Sequence, residues 1–177
     1  MNSSVLIELA TSTKVNLRVF TLYVDFAAGV RAKRIVNEIK GIAGEEFACT
    51  SEMWKLDAVA PVGPIRKMIA QEAGESDVLI VAASQPDHPD PLLAEWLNLL
   101  VNWKAGRLFP GLLVGLLGAE DHVVDTANWM VNELTAFARQ TRMHWVWHAG
   151  ARQSWDNSQW LADGLGRALE RKRQLPV

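Results

Sequence analysis

The stretch Asp77 to Ala83, DVLIVAA, carries no polar residue after its first position, so neither of its faces suits contact with water. As a strand it belongs in the middle of a sheet covered on both sides, the usual environment of a parallel strand. Leu112 to Leu117, LLVGLL, has the same property. Two such strands commit the chain to a sheet with helices on both faces, because parallel neighbours are joined by long crossover connections.

The remaining sequence supplies those crossovers. Leu17 to Val24 (LRVFTLYV) predicts a first strand, and Ala27 to Lys40 a helix with Val30, Ile35, Val36 and Ile39 near helical spacing, stopped by Gly41. Phe47 to Leu56 (FACTSEMWKL) predicts a second strand, and Pro64 suits the first turn of a helix carrying Ile65, Met68 and Ile69. From Pro91 to Ala105, Leu92, Leu93, Trp96, Leu99, Leu100 and Trp103 form a helical stripe. Thr126 to Arg142 predicts a helix with Trp129, Met130, Leu134 and Phe137 inward, Met143 to His148 (MHWVWH) a fifth strand, and Asn157 to Arg173 a last helix. Asp156 and Gln159 there resemble a capping box. Five strands alternating with five helices predict a three-layer, doubly wound parallel sheet of order 2-1-3-4-5, the flavodoxin-like or receiver-like α/β fold. Residues 15–177 are expected to form this single domain, and residues 1–14 an arm, either loose or added as a strand to a sheet edge.

Composition removes several function classes. Lys plus Arg is 18 against 20 for Asp plus Glu, a formal charge of -2, so no global attraction to nucleic acid or to a membrane surface is expected. The single cysteine, Cys49, allows neither an intrachain disulfide nor a cysteine-based zinc cluster. The start MNSSVLIELATSTK lacks the pattern of a signal peptide, and FPGLLVGLLGA falls short of the roughly 20 residues that cross a bilayer. These features lead to the expectation of a cytoplasmic protein.

In this topology ligands bind beyond the carboxyl ends of the strands, where the winding reverses between strands one and three. Strand one ends at Asp25 and strand three at Ser84, followed by Gln85-Pro86-Asp87-His88-Pro89-Asp90; Glu120, Asp121 and His122 follow strand four, and His148 ends strand five. The candidate ligand-binding residues are therefore Asp25, Gly29, Arg31, Ser84, Asp87, His88, Glu120, His122 and His148. Imidazoles and carboxylates on one edge suit metal or acid/base chemistry, but ligands scattered over separate loops form no metal motif, and polar edge loops are ordinary; no metal site is assigned. Anion binding is the second option, since the first helix begins after Asp25 and Arg31, Lys33 and Arg34 lie within two turns of its start. Against it, DFAAG has one glycine and an acid where a phosphate prefers none. Asp25 is favoured as the cap of that helix, with the cations on its solvated outer face.

The pattern resembles receiver domains, in which an acid follows strand one and a phosphoacceptor Asp ends strand three. Asp25 matches the first, but Ser84 stands in the acceptor's place, and His148 or its neighbours stand where the resemblance implies a lysine. Aspartyl phosphorylation is not expected. The Ser/Thr-rich phosphate loop of flavodoxins and the Gly-Ser-x-Arg turn of flavin reductases are both missing, so a flavin would have to be held by its ring alone. The motifs YVDFAAGVRAKR, MWKLD and DVLIVAAS resemble a group of bacterial α/β proteins of this length without an assigned function. Trp96 and Trp103, seven apart, are expected to line the core; Trp145 and Trp147 share a strand face and are expected to join Trp155 and Trp160 in one aromatic cluster, either core or an exposed patch marking a dimer interface or ligand cleft. The leading expectation is a receiver-like regulatory or interaction module, as a homodimer or with a protein partner. The alternative is a small-molecule or flavin-binding enzyme with its pocket at the carboxyl edge, and a metal-dependent hydrolase comes third.

Overall fold

The computed structural model describes residues 14–59, 63–150 and 158–175. Residues 1–13 of the expected arm, Trp155 and the expected capping residue Asp156 lie outside them. The elements, in chain order, are β1 (Val15–Tyr23), α1 (Phe26–Ala43), β2 (Phe47–Lys55), a single turn α2 (Leu56–Val59), α3 (Pro64–Glu75), β3 (Val78–Ala83), α4 (Pro91–Lys104), β4 (Leu112–Leu117), α5 (Trp129–Thr141), β5 (His144–His148) and α6 (Gln159–Arg173). Every strand pair is parallel, and the order is β2-β1-β3-β4-β5. The doubly wound 2-1-3-4-5 sheet read from the sequence is the fold observed.

The two strands without a polar face occupy the two positions that need none: β3 and β4 are buried along their whole length. Alternate residues of the sheet feed two cores. Phe20, Leu22, Leu79, Val81, Leu113 and Leu117 pack with Ile69 of α3, Trp96 and Leu100 of α4, and Leu134 and Phe137 of α5. Leu17, Val19, Val78, Ile80, Leu112 and Val114 pack with Val36 and Ile39 of α1 and Leu161 and Leu165 of α6. The Phe20 and Trp96 rings stack with centroids 5.8 Å apart.

Several helix positions depart from the expected stripes. Val30, Ile65, Met68 and Leu92 are exposed, because each lies on the outer flank of a helix whose inward face is already filled by neighbours one or two positions away. Trp103 is 46% exposed although Trp96, on the same stripe, is fully buried. Trp103 lies on the flank of α4 that rests on α3, where a Cβ built on Gly74 would lie 2.3 Å from that of Trp103. Leu56 leaves the sheet for the turn α2. α5 starts three residues later than expected, at Trp129, because the Asn128 side chain accepts the N–H of Met130 and caps the helix there.

The expected tryptophan cluster is divided by the sheet. Trp145 and Trp147 pack, partly buried, against the α3–α4–α5 core, while Trp160 packs against the α1–α6 core beside His148. The reason is which helix crosses which face: α6 covers the opposite side of β5 from these tryptophans. Among the described residues no helix is long and apolar enough to cross a membrane.

At the amino edge of the sheet, buried Asp77, just before β3, joins β1, α6 and the segment after α4. Its carboxylate accepts the Arg18 N–H at 2.8 Å, is ion-paired to Lys172 of α6 and lies 3.4 Å from Arg107. Lys104, fully buried, donates to the carbonyl and hydroxyl oxygens of Ser76 beside it. Burial, and then Arg107, pull the Lys104 ammonium down to a pKa of about 7.

Candidate functional site

The carboxyl edge is organised by Asp25. The residue has extended backbone, φ -133° and ψ 165°, and its Oδ1 accepts the Ala28 N–H at 2.9 Å, so it is the N-cap of α1. The same carboxylate also reaches across the crevice. Its Oδ2 accepts the Ser84 N–H at 2.8 Å and its Oδ1 the Ser84 hydroxyl at 2.7 Å. The cap and the lip of the crevice are one residue. Burial alone raises its pKa, but the bonds from Ser84 and Ala28, with Arg31 nearby, outweigh it and hold the carboxyl below the usual range.

Arg31 corrects the expectation that all three cations of α1 face solvent. Its Nη1 donates to Ser84 Oγ at 3.0 Å, and burial lowers its pKa while Asp25 and Glu120 oppose that change. Lys33 and Arg34 are exposed, as expected. Asp25, Ser84 and Arg31 therefore close the switch-point crevice with their own side chains, and a carboxylate already stands at the N-terminus of α1, where a phosphate would be drawn.

The other candidates fall into separate groups. His122 Nε2 lies 2.9 Å from Asp87 Oδ1, and Asn128 Nδ2 donates to Pro86 O at 2.8 Å, so the loops after β3 and β4 are pinned together. His88 is exposed and is not drawn into this pairing. His148 lies at the same edge but is buried, its Nδ1 accepting the Gly150 N–H and its ring 5.5 Å from Trp160. It packs with α6 instead of facing the crevice. Among the described residues no three His, Cys, Asp or Glu side chains gather to hold a metal ion. Burial raises the pKa of the Cys49 thiol, which disfavours the thiolate a nucleophile needs.

Gly29 has a packing role. A Cβ there would come within 2.9 Å of the Tyr23 ring, so its absence lets α1 lie against that ring. Beside it opens a groove of about 270 Å³ lined by Tyr23, Phe26, Gly29, Val30, Lys33 and Met53. Phe26, the first residue of α1, is 83% exposed and Val30, one turn on, 56%. Sequence reasoning missed this groove, although the i, i+4, i+7 spacing of Phe26, Val30 and Lys33 was the available signal. It also missed Gly118 and Gly150, at φ +87° and +79°, which let the loops after β4 and β5 approach: a Cβ on either would lie within 2.5 Å of His122 O. A larger cavity of about 460 Å³ lies away from this edge, between β1, β2 and α3, lined by Arg18, Phe20, Glu52, Glu72 and Glu75 among others. Its acids are exposed, and nothing converges there as Asp25, Ser84 and Arg31 do.

No protein-family model and no curated protein matches the sequence. Solved structures do match the fold. An oxidoreductase from Corynebacterium diphtheriae superposes with a TM-score of 0.64 at 13% identity, over 90% of this chain and 99% of that one. A short-chain flavodoxin associated with a non-canonical PDU bacterial microcompartment matches with a TM-score of 0.50 at 10% identity, over 86% and 97%. At these identities the likeness is one of fold, and the fold is flavodoxin-like.

Proposed function

We propose that this chain is a flavin-binding oxidoreductase of the flavodoxin-like class, with the flavin on the carboxyl edge, in the Tyr23, Phe26, Val30, Lys33 and Met53 groove. The observation that carries this reading is the exposed apolar groove with one ammonium at its rim, on the edge where ligands of such sheets bind. The names of the two matched structures, an oxidoreductase and a flavodoxin, support the reading. Apolar and aromatic side chains suit the faces of a planar ring. The donor set fits the ring and misfits a phosphate in the crevice, since the Asp25 carboxylate stands there. A bound flavin supplies electron or hydride transfer; the chain's own part is to hold the ring by Phe26 and Tyr23 and to set Lys33 beside its polar tail.

Titration of riboflavin and of FMN against intrinsic tryptophan fluorescence tests this. Both are expected to bind with similar affinity, because the ring carries the contact, and Phe26→Ala should weaken both by roughly tenfold, the equivalent of losing about 1.4 kcal/mol of stacking. If neither binds at about 1 mM, a free energy near −4 kcal/mol, the reading is wrong. The second reading is a receiver-like regulatory or interaction module. The lock between Ser84 and Asp25 favours it, because the residue at the acceptor's place is a hydroxyl already bonded to an acid. In that case the exposed Phe26 and Val30 patch serves a protein surface, including a second copy of this chain, and Phe26→Ala would change the oligomeric state.

A further inference from the structure

The amino edge of the sheet, opposite the crevice, carries a small cationic pocket that the flavin reading does not use. β4 and β5 begin side by side there, and the His144 N–H donates to Gly111 O at 2.9 Å. α6 crosses above them and presents Arg167 and Arg171, four residues apart and so on one face. These three residues, with Phe109, Pro110, Gly111 and Ala168, line a cavity of about 90 Å³. None of its lining residues is acidic. Among the described residues neither arginine side chain has an ion-pair or hydrogen-bond partner, although Arg18, Arg66, Arg107 and Arg173 each have one. The nearby carboxylate of Asp77 is already held by Lys172 and Arg107.

Helix polarity accounts for part of this charge, since cations are favoured in a last turn, and Arg171, Lys172 and Arg173 lie in the last turn of α6. It does not account for Arg167, which lies more than a turn further back, or for an imidazole placed beside both arginines. The groups facing His144 are these two guanidiniums from α6; the Phe109 to Gly111 segment adds no charge. Burial, and then Arg167 and Arg171, depress the pKa of His144, so the arrangement works against its own protonation. An anion between the three groups reverses that balance.

We propose that this pocket binds an oxyanion of phosphate size, as inorganic phosphate or as the phosphate terminus of a larger ligand. Two planar guanidinium forks and an imidazole N–H match the several oxygens of a tetrahedral oxyanion. The cavity admits one such group and no attached base or ring, so the rest of a larger ligand would project outward.

His144 is itself the reporter. Its imidazole is followed by NMR through a pH titration in inorganic phosphate, in glycerol phosphate, and in chloride at matched ionic strength. Bound oxyanion should move the midpoint of His144 upward by about 0.5 pH or more, the size of an ordinary charge effect, and shift the amides of Gly111 and Ala168. The Arg167→Gln/Arg171→Gln variant, both positions being exposed, should keep its circular dichroism spectrum and lose the phosphate dependence. An effect of inorganic phosphate alone assigns the free ion, and an effect of glycerol phosphate alone assigns the terminus of a larger ligand. Identical His144 titrations in all three media overturn the proposal. The Phe26→Ala variant should leave this titration unchanged, so the groove and the pocket stand or fall separately.

Discussion

The carboxylate of Asp25 and the backbone N–H of Ser84, 59 residues apart in the chain, meet at 2.8 Å across the switch point of the sheet. One side chain thereby caps α1, joins the ends of β1 and β3, and fills the anion position at the head of the crevice.

Replacing Asp25 tests this triple role. Loss of a cap costs roughly 0.5–2 kcal/mol, and leaving the Ser84 donors without their acceptor adds about 1–3 kcal/mol. Asp25→Ala should therefore unfold in urea with a loss of roughly 1.5–5 kcal/mol, and Asp25→Asn should also lose stability, because an amide nitrogen cannot accept the Ser84 N–H. A loss near 0.5 kcal/mol for Asp25→Ala would mean that only the cap matters. Because the folded pKa of Asp25 is depressed, its contribution is present above the unfolded value of about 3.9 and fades as pH falls through the folded one. Asp25→Asn should lack that part of the acid limb.

Lys104 predicts a pH dependence of the same sign in the neutral to alkaline range. With a folded pKa of about 7, below the unfolded value near 10.4, the unfolded chain binds more protons across that window. Stability should accordingly rise as pH rises from about 7 towards about 10, and be lowest with respect to this group below 7. Lys104→Met should flatten that rise, measured by chemical denaturation at several pH values. At pH 6 the variant should equal or exceed the wild type, since Arg107 still donates to Ser76 O at 2.5 Å. A wild-type profile as flat as that of the variant would show that the ammonium is not desolvated.

Gly115 sits in β4 where a Cβ would lie 2.5 Å from Cη2 of Trp145 and 3.1 Å from Cβ of Trp147. Gly115→Ala should destabilise by about 1–3 kcal/mol through overpacking. The emission of the two tryptophans should shift with it, and an unchanged melting temperature would show that both rings can move aside.

The pair His122 and Asp87 is half-exposed, so its loss should cost less than about 1 kcal/mol. Asp87→Asn should leave the melting temperature nearly unchanged while increasing hydrogen exchange or proteolysis in the loops after β3 and β4. Stabilised loops in the variant would contradict the pinning role.

The sequence by itself determined the layered α/β class and the strand positions. DVLIVAA and LLVGLL have no polar face, and burying such runs leaves few architectures open. The edge of the sheet that carries Asp25, Ser84 and His122 was legible for the same reason, since strand direction decides which loops share an edge. Only the tertiary structure decided which members of that edge meet: Arg31 turns inward while Lys33 stays out, and Ser84 takes Asp25 while Asp87 takes His122. It also decided that Trp103 rests half-exposed against α3 and that β5 separates Trp160 from Trp145 and Trp147. Periodicity reports that a stripe exists, but not what lies opposite it. Hydrogen bonds between loops depend on separations of a few tenths of an ångström, which arise only once both cores have packed.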